Sequence, residues 1–289
     1  MYSSRSRLEQ GRTKFRFRFS SRKVLRIIIP CLVLFAILPP IFFHFRLSRF
    51  HQMQVRKCGW LNDPPLVCAH GGDSSKASSN TMAAYLSALH SQVDCIEIDV
   101  SRSSDGVLFA LHDRDLQRLS GNTTSKVGHM SSKEIRELGA TRHSVEKFND
   151  ESIPTIQDAL LVEKTECRNC VIWAKSDNLA REVIKISSEI TVGYIVMREP
   201  KTGVRTNLLR MKGAEVVGVY HPLIDEKLMK ILHRRNKKVY AWTVDDEESM
   251  QKMLFENVDA IVTGDPTLLQ QLMQNTRTQC LEEGYSLPN

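Results

Sequence analysis

From residue 66 to residue 275, short β-branched runs alternate with amphipathic segments, and no other feature restricts the fold of this chain as much. The runs cover residues 66–69, 95–100, 107–111, 170–174, 192–197, 216–219, 239–244 and 258–262. Helical periodicity falls on 81–90, 156–163, 179–188, 226–235, 247–255 and 267–275. Strand-helix repeats of this kind imply a parallel sheet, because a parallel crossover needs roughly a helix's length of chain to return. Eight strands fit a TIM-like barrel or a doubly wound sheet, and polar residues gathered at the C-terminal ends of strands favour the barrel. One connection is different. Only seven residues separate Asp99 from Val107, too few for a crossover, so Asp105-Gly106 predicts a hairpin that sets Asp99 opposite His112.

The net charge of +7 suggests a nucleic-acid partner until its location is considered. Residues 1–26 hold seven Arg, two Lys and one Glu, whereas residues 46–289 hold 31 basic and 32 acidic side chains. The globular part carries no basic excess, which argues against nucleic acid. Between the two lies an uncharged run, 27–43, extended to 19 residues by His44 and Phe45. That is near the shortest helix able to span a hydrocarbon core of ~30 Å. The reading is a basic cytosolic tail (1–23), a transmembrane anchor (24–45), a linker (46–64), a barrel (65–275) and a C-terminal tail (276–289). The positive-inside rule puts the N-terminus in the cytosol and the folded domain in a lumenal or extracellular space. The seven cysteines do not fix the compartment. Cys167 and Cys170 have metal-ligand spacing, but no second pair completes a zinc site.

The chemistry-bearing residues stand at strand ends. The first strand runs into Ala69-His70-Gly71-Gly72 and the third into Leu111-His112-Asp113. The second reads Ile96-Glu97-Ile98-Asp99-Val100, whose carboxylates at i and i+2 share a face. Two acids on one face of an apolar strand are costly unless a cation meets them. Two histidines and two carboxylates suit a hard divalent cation with imidazoles as acid and base.

These residues resemble the glycerophosphodiester phosphodiesterase family over roughly residues 67–269. The resemblance rests on Ala69-His70-Gly71-Gly72, Ser78-Ser79-Asn80-Thr81, Ile96-Glu97-Ile98-Asp99-Val100, Asp105-Gly106, His112-Asp113-Arg114-Asp115-Leu116 and Ile153-Pro154-Thr155. It continues through Val239-Tyr240-Ala241-Trp242-Thr243-Val244 and Val258-Asp259-Ala260-Ile261-Val262-Thr263. Together with Trp173-Ala174-Lys175-Ser176-Asp177 and Tyr220-His221-Pro222-Leu223, the anchored arrangement looks like a divergent membrane-anchored plant member.

The resemblance implies an irregular TIM-like barrel that hydrolyses small-molecule glycerophosphodiesters to glycerol 3-phosphate and an alcohol with Mg²⁺ or Ca²⁺. His70 and His112 would be the acid-base pair, Glu97 and Asp99 the metal ligands, and Trp242 a pocket wall. Gly71 stands where the family has a phosphate-gripping arginine, and Ser79 where it has a glutamate. The family's further acidic strand has no counterpart, since only residues 161–169 separate one helix from the next strand. One strand-helix unit is expected to be missing, leaving the ring open or closed differently. A catalytically impaired, phosphodiester-binding member of the family is the alternative reading.

Overall fold

The computed structural model describes residues 21–142, 153–161, 171–174, 176–186 and 191–286. Most of the basic tail, the Cys167–Cys170 pair and Lys175 lie outside them. The chain divides into two units, Met1–Met53 and Gln54–Asn289.

Helix α1, Ser21–Cys58, starts in the first unit and contains Pro30, Pro39 and Pro40. Its large apolar side chains, from Ile28 to Phe45, are exposed, Phe35 to 79%. A continuous apolar surface of this kind is unfavourable in water. The helix is long and apolar enough to cross a membrane.

In the second unit, parallel strands are joined by helices. The elements are β1 (Leu66–His70), α2 (Met82–His90), β2 (Cys95–Glu97), β3 (Val100–Arg102), β4 (Leu108–Ala110), α3 (Asp113–Ser120), α4 (Ser132–Arg142) and α5 (Ile156–Leu161). After them come β5 (Val171–Ala174), α6 (Asp177–Ile186), β6 (Thr191–Val196), β7 (Val216–Tyr220), α7 (Glu226–His233), β8 (Lys238–Trp242), α8 (Glu247–Phe255), β9 (Ala260–Thr263) and α9 (Pro266–Glu282). Several helices start on an oxygen-bearing cap. Thr81, Asp225, Asp246 and Asp265 accept from the backbone N–H of Ala84, Leu228, Ser249 and Leu268.

Seven strands form one curled parallel sheet in the order β2-β1-β9-β8-β7-β6-β5. This is the irregular barrel expected, with one place unfilled: β2 and β5 are the sheet's edges, and no described strand lies between them. The segment between α5 and β5 holds nine residues, 162–170, too short for a strand and a returning helix. One face of the sheet packs on the helices through Val217, Val219, Val239, Ala241 and Ile261, against Leu228, Leu232, Met250 and Leu269. The barrel interior is a smaller cluster of Cys68, Ala260 and Val262 with Cys95, Tyr240 and Trp242.

The hairpin is present as β3 and β4, but its register differs from expectation. Ser103 N donates to Val107 O (2.9 Å) and Gly106 N to Ser103 O (3.1 Å), so the loop holds three residues, not two. Gly106, at φ +93°, occupies the left-handed position such loops require. The extra residue sets Asp99 opposite Leu111, whose N–H bonds Asp99 O at 3.0 Å, and puts His112 one place beyond.

Among the described residues of this unit there are two disulfides, Cys58–Cys280 and Cys68–Cys95. The first closes 222 residues of sequence and ties the end of α1 to α9, helped by a Lys57–Glu283 ion pair at 2.6 Å. A loop of this length strongly restricts the unfolded chain. Cys280→Ser is expected to lower unfolding stability by about 2–5 kcal/mol. Urea denaturation of both forms, without reductant, measures the difference.

Candidate active site

The site starts from the pairing of β1 with β2. Their parallel register places Cys68 beside Cys95 and His70 beside Glu97. Side chains two residues apart share a face, so the Cys68–Cys95 disulfide lies one layer below the His70–Glu97 pair. In that lower layer the sheet register continues through Val262 and Trp242 to Tyr220. Trp242 stacks at a tilt on Tyr220, with ring centroids 5.6 Å apart, and its indole N–H is buried without a hydrogen-bond partner.

At the upper layer, one ligand atom from each of His70, Glu97 and Asp99 lies within 4.8 Å of the others, and all three side chains are half-buried. His70 Nε2 is 3.9 Å from Glu97 Oε2. That separation is beyond hydrogen bonding, so the ring nitrogen can engage a third atom. Gly71 N donates to Glu97 O at 3.0 Å and to Glu97 Oε2 at 3.3 Å, fixing the glutamate at the strand end. Two carboxylates supply the oxygen donors that a hard divalent cation takes, with the His70 imidazole beside them.

His112 is outside this group. Its Nδ1 accepts the Arg114 backbone N–H (3.0 Å) as the cap of α3. A nitrogen that accepts an N–H carries no proton, so the neutral ring holds its hydrogen on Nε2.

Sequence reasoning missed the group that braces Asp99. Asn80 is 2% exposed and sits at φ +62°. Its Oδ1 accepts from Tyr85 Oη (3.1 Å) and Asp99 N (3.3 Å). Its Nδ2 donates to Asp99 Oδ2 (3.1 Å) and to Asp115 Oδ2 (3.2 Å). Burial pushes the Tyr85 phenol far above its ordinary range, and the charges of Glu97, Asp99 and Asp115 push it the same way. Tyr85 is therefore a neutral donor. The available signal was the residue type, since Asn takes the left-handed conformation more readily than most side chains.

Both glycines after His70 are left-handed, Gly71 at φ +62° and Gly72 at +88°. A Cβ on Gly71 would lie 2.0 Å from Ser79 Oγ, so the serine occupies the space a side chain at 71 would enter. A Cβ on Gly72 would lie 2.5 Å from the carbonyl carbon of Ala84 in α2.

Parallel strands that bring acids and a histidine to their C-terminal ends define a (βα)-barrel enzyme whose chemistry is done at that mouth. The model of the glycerophosphoryl diester phosphodiesterase family matches residues 70–180 and 163–268. Glycerophosphodiester phosphodiesterase GDPD4 of Arabidopsis thaliana is 50% identical over 311 aligned positions, covering 96% of this chain and 95% of the relative. A glycerophosphodiester phosphodiesterase of Caldanaerobacter subterraneus is 28% identical over 243 positions, covering 72% and 98%. The structure of an Oleispira antarctica phosphodiesterase in complex with the product sn-glycerol-3-phosphate matches with a TM-score of 0.62 at 21% identity, over 73% of this chain and 97% of the other. The chain belongs to the glycerophosphoryl diester phosphodiesterase family.

The alignment lengths agree in size with one missing unit. The 311 positions contain 96% of 289 residues, so about 34 hold residues of the plant relative with no counterpart here. The same reckoning with the bacterial relative, 243 positions against 72% of the chain, gives about 35. Either figure is the size of one strand-helix unit. The two family matches overlap over residues 163–180, a stretch that contains β5.

Gly72→Ala is expected to lower stability by about 2–4 kcal/mol, from the left-handed backbone and the clash with α2. A thermal or urea melt of the folded variant checks it; an unchanged midpoint would show that α2 moves aside freely.

Proposed function

We propose that this chain is a divalent-metal-dependent hydrolase of glycerophosphodiesters, releasing glycerol 3-phosphate and an alcohol. The observation that carries the reading is the His70–Glu97–Asp99 group, within 4.8 Å at strand ends, in a chain of this family. Glu97 and Asp99 would hold Mg²⁺ or Ca²⁺. When bound, the cation supplies positive charge to the phosphate oxygens in the transition state. His70 takes a proton from the attacking oxygen. His112 would protonate the leaving oxygen; its Nδ1 accepts the Arg114 backbone N–H, so the imidazolium this requires forms as that cap bond opens. Trp242 would form the pocket wall on the β8 side.

The same proposal covers topology. Residues 24–45 anchor the chain, residues 1–23 remain cytosolic, and the folded unit works in a lumenal or extracellular space. Two disulfides in that unit support an oxidising compartment.

Full-length protein in detergent, assayed with glycerophosphocholine and related diesters, is expected to release glycerol 3-phosphate only with Mg²⁺ or Ca²⁺. His70→Ala and His112→Ala are each expected to reduce release at least ~100-fold. Activity that withstands EDTA, or that both variants retain, overturns the reading.

A further inference from the structure

Asp99 lies just beyond β2, on the connection to the hairpin, so the strand ladder alone does not orient its carboxylate. The Asn80 carboxamide does, and the amide's own orientation is decided by its neighbours. Its oxygen meets two donors, Tyr85 Oη and Asp99 N, and its nitrogen meets two carboxylates. All four hydrogen-bonding valences of the amide are used.

We propose that Asp115, through Asn80, is a positioning residue of the cation site. This inference rests on the cation reading above. Asp115 stands on the first turn of α3, away from β2, yet its Oδ2 takes one Asn80 N–H at 3.2 Å while Asp99 takes the other at 3.1 Å. An amide held by one carboxylate cannot rotate about its last bond without losing that charge-assisted hydrogen bond, so its second N–H stays aimed at Asp99. Arg118 Nη2, 3.6 Å from Asp115 Oδ1, holds the other end of that carboxylate. The hydrogen-bonded chain runs from α3 through Asn80 to Asp99, and it lies in the half of the fold that the missing unit does not touch.

The experiment is calorimetric titration of the full-length protein in detergent with MgCl₂ and with CaCl₂, which reads binding without turnover. Asp115→Ala is expected to weaken cation binding about tenfold, with Asp115→Asn, which keeps an acceptor for Asn80, within about threefold of wild type. Asn80→Ala is expected to weaken binding at least as much as Asp115→Ala, and adding Asp115→Ala to it to weaken it less than twofold further. A purely structural role would lower the melting temperature of Asp115→Ala and leave its affinity unchanged. Where Asp115→Ala does not fold, Asp115→Leu takes its place in every comparison. Unchanged affinity in the folded variant, or fully additive losses in the double variant, overturns the inference alone. Wild-type protein that binds neither cation overturns the cation reading and this inference with it.

Discussion

The register between β1 and β2 is the constraint on which the site depends. A one-residue slip would turn His70 or Glu97 to the helix-packed face and separate the pair. The slip is blocked twice, by the Cys68–Cys95 bond one layer below and by the Gly71 amide bonded to Glu97 one residue above. The sequence that builds this corner is short, from Cys68 to Gly72 on one strand and Cys95 to Asp99 on the other. The rest of the sheet supplies walls around it.

This explains how a barrel missing a strand can keep His70, Glu97 and Asp99 together. A parallel ring distributes its chemistry over several strand ends, and a deletion removes what its own strand carried. Here His70, Glu97 and Asp99 all come from the first two sheet strands and the connection that follows. The gap lies on the far side of β2, between it and β5. The edges it leaves are short: β2 has three residues and β5 four, with Ile172 38% exposed. Short edge strands present few unpaired backbone groups.

Much of this was legible in the sequence. The strand ends and the acid pair followed from pattern and spacing, while the lost unit was legible only against the family that the motifs resemble. The hairpin was legible but its register was not, since Asp105-Gly106 suits a two-residue turn and the third position of a longer loop equally well. Helices α3 and α4 escaped notice because each has few apolar residues, although Ser131 and Glu134 form a capping box that marks the start of α4. The Asn80 brace depends on Asp99, 19 residues away, and Asp115, 35 away. No local pattern shows a contact between residues so far apart in the chain.

The Cys58–Cys280 bond makes the folded unit a covalent ring. Everything from the last residue of α1 to Cys280 in the last turn of α9 lies inside it. A single peptide bond cut within the ring therefore releases nothing: both fragments stay joined through the sulfurs to α1. Detachment from the apolar helix needs a cut before Cys58, or two separate events, cleavage and reduction. Within the ring, nicking of the folded unit and its loss from the helix are therefore distinct events, the first needing only a protease and the second a reductant as well.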